Sequence, residues 1–329
     1  MSYIQLITKK SSKYLYLIII AIGFCMFVKA QRPILFDHIG IEEGLSQNSV
    51  ISITQDKNGF MWFGTRYGLN RYDGFNIKTY QFPAGDSTLS ANNYIKSLYS
   101  DSKGKLWVGT PNGLNLYDPL MDSFSKLKHD RKNPNSLSNS FPVCIYEDKN
   151  ANIWIGTPNG LNKLDKGNPN SIKRYLTNED LKNLHHDIRT LYEDHTGHLW
   201  IGTSNGLLKM ELKGGKYQTT IFTHNDQKGS ISDDYISGII EDRKKRLWIS
   251  TQNGGINLFD PIHEKFTAFK HVETDPKSLI NNTIRSLTLD DAGKIWIGTL
   301  DGLSIMDVET FSCTNIKYDP NENRGLNQN

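Results

Sequence analysis

Cysteine is scarce. Cys25, Cys144 and Cys313 are the only three in 329 residues, and no Cys-x-x-Cys pair occurs, so neither a disulfide framework nor a thiolate metal site is offered. Cys144 and Cys313 stand far apart and read as free or buried thiols, not a bridge. Charge of one sign is lacking too: 38 Lys and Arg face 35 Asp and Glu, a net charge of +3 with neither sign clustered. That excludes the basic stripe of a nucleic-acid groove and gives no reason to expect an acidic partner. There is no glycine-rich phosphate loop and no Gly-x-Ser-x-Gly elbow. Sustained 3.6-residue periodicity is missing, which excludes a helical repeat.

One hydrophobic run is present, near the start. Lys9, Lys10 and Lys13 precede an apolar stretch from Tyr14 to Val28, and Val28-Lys29-Ala30 stands before Gln31. A basic segment, an apolar segment shorter than the ~20 residues that span a bilayer, and a small-residue site make a secretory leader. Residues 1–30 are therefore expected to be a signal peptide cleaved after Ala30, with an uncleaved anchor as the alternative. Phe24 sits where a lipoprotein signal wants a small residue, so Cys25 fits that role poorly. The remaining chain, residues 31–329, is expected to be exported to the periplasm.

What fills that chain is a repeat. The six tryptophans, Trp62, Trp107, Trp154, Trp200, Trp248 and Trp296, are 45 to 48 residues apart. Six positions before each stands an aspartate (Asp56, Asp101, Asp148, Asp194, Asp242, Asp290) and six after each a glycine (Gly68, Gly113, Gly160, Gly206, Gly254, Gly302). Three after each stands a threonine, from Thr65 to Thr299. Four residue types in register six times are not coincidence.

Each unit reads as four short strands. Ile95, Leu98 and Tyr99 lie in a strand before Asp101, and Asp-x-x-Gly is a tight turn in which Asp caps backbone N–H groups and Gly supplies positive φ. Leu-Trp-Val-Gly-Thr carries almost no polar residue, the pattern of a strand covered on both faces. A turn at Pro-Asn-Gly113 leads to a third strand, and a fourth lies around Ser123 to Leu127. That period and strand count predict an all-β fold, a β-propeller of four-stranded antiparallel blades, one blade per tryptophan. A spare outer strand is expected at Pro33–Ile39. Asp319-Pro320 to Asn329 resembles Asp275-Pro276 to Asn282, the lead-in to the sixth unit. The chain thus reads as an incomplete seven-bladed propeller and a piece of a longer protein, with a genuine six-bladed ring as the alternative.

The repeated Asp-x-x-Gly-x-Leu-Trp-Ile-Gly-Thr-x-x-Gly-Leu, nearly unbroken at residues 148–161 and 194–207, resembles the two-component regulator propeller repeat. Phe36 to Asn48 resembles the usual opening of that array. Departures are few: Ala151 and Lys245 replace the turn glycine, Ser250 replaces Gly before Thr251, and Gly255 replaces Leu. The resemblance implies a periplasmic sensor of a hybrid histidine kinase of Bacteroidetes type, often tuned to polysaccharide fragments. It implies an oligosaccharide or other small ligand and the rest of the sensor kinase as partners, and membrane attachment only through regions outside this sequence or an uncleaved leader. No kinase core is present, so no signalling chemistry transfers to any residue, and the chain is read as a non-enzyme without cofactor or metal.

Repeated residues are scaffold, so recognition is expected from residues that vary. One propeller face should gather the loops before the first strands and between second and third strands. Arg66, Tyr67, Asn93, Tyr94, His186, Arg189, Tyr235, Arg285 and Asp301 are placed there as candidate ligand-binding residues, suited to hydroxyl-rich or acidic sugars through forked hydrogen bonds and ring stacking. The six aspartates are assigned to turns, and the six tryptophans to blade packing, not sugar stacking. Two other classes stay open: a propeller lyase or glycosidase, towards which only His186 leans, and a protein–protein scaffold.

Overall fold

The computed structural model describes residues 34–82, 93–166, 168, 171–176, 187–322 and 324–327. The expected leader lies outside them. Residues 38–329 form one compact unit, and 34–37 belong to a second. Among the described residues there is no α-helix, and 24 strands make six four-stranded antiparallel sheets. Each sheet takes its four strands in chain order, as in the second blade (Ser97–Ser100, Leu106–Thr110, Gly113–Asp118, Ser123–Leu127). The first strands of consecutive blades lie side by side, so the fold is a six-bladed β-propeller.

The Asp-x-x-Gly turn carries more than backbone capping. In every blade one oxygen of the aspartate accepts turn N–H groups while the other accepts the indole Nε1–H six residues on, at 2.7–3.0 Å. The tryptophan is thereby locked against its own turn. Ala151 and Lys245, which stand where the other turns have glycine, adopt φ of +56° and +64°. The backbone imposes the left-handed conformation whatever the side chain.

Five of the six tryptophans then face the next blade. Trp62 packs with Ile95, Leu106 and Val108 of blade two. Trp107 meets Ile145, Ile153 and Ile155 of blade three. Trp154, Trp200 and Trp248 repeat the arrangement with blades four, five and six. Leu137, Ile231 and Leu279, from the lead-in segments, seal three of these interfaces. Trp296 is only half-buried and joins none of the five cores.

The glycine two residues after Trp62, Trp107, Trp154 and Trp200 makes this approach possible. A Cβ on Gly202 would lie 2.6 Å from both Thr190 across the sheet and Ile236 of the next blade. Blade five, where Ser250 replaces that glycine, makes up for it on the facing strand. Elsewhere a Ser, Thr or Cys pairs with Gly, as Ser97 with Gly109; here Gly238 pairs with Ser250. Gly255 is likewise not a substituted Leu. Thr251 N–H donates to Gly255 O where Thr65 N–H donates to Gly68 O, so the turn is one residue longer and Ile256 occupies the Leu position.

The spare outer strand expected at Pro33–Ile39 is not formed: residues 34–39 are in no strand. A strand needs a ladder partner, and all 24 strands of the propeller pair within their own blades. No seventh-blade strand exists among the described residues. Instead His38 Nε2 approaches the Gly325 carbonyl at 2.8 Å, tying the segment before the first blade to the one after the sixth. Cys144 and Cys313 are free thiols in different blades, and burial pushes both up to about 12.

Candidate functional site

The loops expected to share a face do so. The turns between second and third strands donate to residues just before the first strands: Ser204 N–H to Asp187 O, Gln252 N–H to Tyr235 O, and Leu300 N–H to Thr283 O, all at 2.9–3.1 Å. Those short links hold the mouth of the propeller to its blades.

Within it, first strands slip register at a single residue. In blade four Ile188 faces Thr203 and Thr190 faces Gly202, so Arg189 is extra. Ser237, Arg285 and Ile51 are the extra residues of blades five, six and one. Such a bulge re-aims a side chain out of the ladder. Lys96 and Val143 hold the same place in blades two and three, each preceding the residue that faces the glycine and donating its N–H to that glycine's carbonyl at 2.9 and 2.8 Å.

These positions converge. Lys96, Val143, Arg189, Ser237 and Arg285 line one cleft of about 230 Å³ with Tyr235, Ile236, Gln252 and Ile284. Arg189 lies over the Tyr235 ring, 5.1 Å from its centre, and its Nη2 meets Asp187 Oδ2 at 2.5 Å. Arg189 Nε and Asp187 Oδ1 are buried without a hydrogen-bond partner among the described residues. Burial, and next the charge of Arg189, hold the Lys96 ammonium below its ordinary value.

Three of the sequence candidates, Arg189, Tyr235 and Arg285, are thus brought together. The five other candidates among the described residues do not line the cleft. Arg66 and Tyr67 stand exposed on a turn of blade one, held by the Gln47 side chain and Thr65 Oγ1. Asn93 caps the Phe82 N–H at 2.7 Å. Tyr94 packs against Phe141, ring centres 6.0 Å apart. Asp301 accepts a hydrogen bond from Asn281 at 2.6 Å. His186 lies outside the described residues. The sequence reading missed Lys96, Ser237 and Gln252; aligning first strands on the residue facing each glycine would have put Lys96 in one column with Arg189 and Arg285. A larger hollow, about 720 Å³, opens between Pro134 and Tyr175 of the third repeat and shares no residue with the mouth.

Known proteins place the fold in context. A family model described as two component regulator propeller matches residues 44–67, 88–112, 136–159, 184–205, 230–253 and 278–301. The extracellular domain of a hybrid two component system of B. thetaiotaomicron, BT3049, is 29% identical over 90% of this chain with a TM-score of 0.74. A segment of 46 residues is 56% identical to Histidine kinase P4 of Formosa agariphila. Virginiamycin B lyase of Staphylococcus aureus, at 17% identity and a TM-score of 0.61, shares the fold alone. The chain spans 38% of the length of the hybrid-system domain and 3% of that of the kinase.

Proposed function

The chain carries six repeats of the two-component regulator propeller family, and from that premise we propose that it is the ligand-sensing propeller of a two-component signal-transduction protein. It works outside the cytoplasmic membrane, exported by the segment before residue 31, and its ligand is an oligosaccharide or a similar small polar molecule. The likeness to the extracellular domain of a hybrid two component system over 90% of the chain is the observation that carries this reading. The mouth supports it: a polar cleft built from residues that differ between blades, on a scaffold of residues that do not.

In this reading the chain performs no reaction of its own. Ligand binding across several blades changes their relative stability, and the rest of the sensor protein reads that difference. The test is transcriptional. A strain lacking the gene is grown on a panel of polysaccharides, and its transcripts are compared with the parent's. The sensor reading expects one polysaccharide-dependent gene set to lose its induction, and an unchanged transcript profile across the panel would overturn it.

A further inference from the structure

We propose that Lys96, Arg189 and Arg285 form an axial receptor for an oxyanion: a sulfate, phosphate or carboxylate group. That the anion belongs to a sensed ligand rests on the sensor reading above; the site itself rests on geometry.

Of the six residues equivalent by register, Ile51, Lys96, Val143, Arg189, Ser237 and Arg285, the cations fall on blades two, four and six. Three positive side chains from alternate blades thus line one cleft. Among the described residues one carboxylate, Asp187, stands against them: it pairs with Arg189 and its charge also favours the Lys96 ammonium. Among the described residues neither Lys96 nor Arg285 has a carboxylate within ion-pair distance.

Gathering three cations against a single carboxylate is unfavourable for the folded chain alone. Lys96 feels that cost, since burial and the neighbouring guanidinium both work against its charge. Arg189 Nε is a buried donor without an acceptor, and guanidinium forks suit planar or tetrahedral oxyanions. Ser237 and Gln252 add neutral polar groups on the same cleft. At ~30 Å³ per water, its 230 Å³ would hold an oxyanion together with part of its carrier.

The test titrates the full chain by calorimetry with sodium sulfate, sodium phosphate and sodium glucuronate, each against sodium chloride at matched ionic strength. Saturable binding of at least one probe is expected. It should weaken tenfold or more in Arg285→Gln and in Lys96→Gln, and be unchanged in Arg131→Gln, an exposed cation away from the cleft. The probe bound most tightly identifies the anion class. In chloride alone Lys96→Gln should melt at or above the wild type, because it removes a cation beside Arg189. A clear fall there would make Lys96 a structural group and overturn the site. So would equal weakening in all three variants, or no saturable binding by any probe. Binding of neutral oligosaccharides alone would overturn the anion site and leave the sensor reading standing. Anion binding beside an unchanged transcript profile in the deletion strain would do the reverse.

Discussion

Trp248 donates its indole Nε1–H to Asp242 Oδ2 at 3.0 Å, while Asp242 Oδ1 accepts the backbone N–H groups of Lys244 and Arg246. One carboxylate therefore fixes both the turn and the largest side chain of the blade. Replacing Asp242 by Ala would strand a buried indole donor and undo the turn. A loss of about 2–4 kcal/mol is expected, measured by denaturant unfolding; a change under ~0.5 kcal/mol would show that the pair is incidental.

The same bond sets a response to acid. Burial raises the carboxyls of Asp194, Asp242 and Asp290, but indole, backbone and side-chain donors outweigh it and leave all three below their ordinary value. Protonation then favours the unfolded chain, whose carboxyls titrate near pH ~3.9. The stabilisation is complete above that value and is lost as pH falls through the lowered folded values. Thermal midpoints should be level as far as these groups go down to about pH 5 and drop steeply below about pH 4. A midpoint that rises on acidification through that window would contradict the assignment.

Equivalent tryptophans should not be equal. Trp154→Ala empties a core shared by two blades and should cost about 3–5 kcal/mol. Trp296→Ala, from a half-buried site outside the five cores, should cost less than half as much. Tyr67→Ala, exposed on its turn, should stay within about 0.5 kcal/mol. Matching losses for Trp154 and Trp296 would show that the sixth blade is packed like the rest.

Turns without glycine can be improved. Ala151→Gly and Lys245→Gly relieve a left-handed backbone at some cost in unfolded-chain entropy, for a net gain of up to about 1 kcal/mol each. A fall in melting temperature for both would mean that these side chains make contacts worth more than the strain.

Blade five suggests an exchange elsewhere. In blade six a Cβ on Gly298 would sit 2.5 Å from Ser286 Oγ, with Ser286 supplying its three nearest atoms. Gly298→Ser should be destabilising alone, and adding Ser286→Gly, which recreates the Gly238–Ser250 pair, should recover most of the loss. Additive losses in a double-mutant cycle would refute the exchange.

Much of this fold was legible because its determinants recur. Asp, Trp, Thr and Gly in fixed register gave strand count, turn chemistry and blade boundaries. The second duty of the aspartate was not legible, since an indole bond six residues away leaves no mark distinct from turn capping. Residues 34–39 read as a strand on composition, but strands are made by partners, and composition does not supply one. The site was half legible for a related reason. Arg189, Tyr235 and Arg285 stood out as large polar residues on the right loops, whereas Lys96 is recognised only once the bulge register equates it with Arg189. Asn93 and Tyr94 share those loops, yet local hydrogen bonding and ring packing occupy them.

Among the described residues five buried apolar cores fill seams between successive blades, while the seam between blades six and one is marked by the His38–Gly325 contact instead. Coupling between blades therefore runs mainly through these nearest-neighbour seams, as in other repeat arrays. The terminal blades are then the natural foldons to open first, with the interior following only when a seam is broken. Lys96 and Arg189 sit in the well-coupled interior, while Arg285 sits in a terminal blade. A ligand that bridged these blades would stitch the fraying end to the rigid middle, so that occupancy would be felt as a slower local opening of the sixth blade.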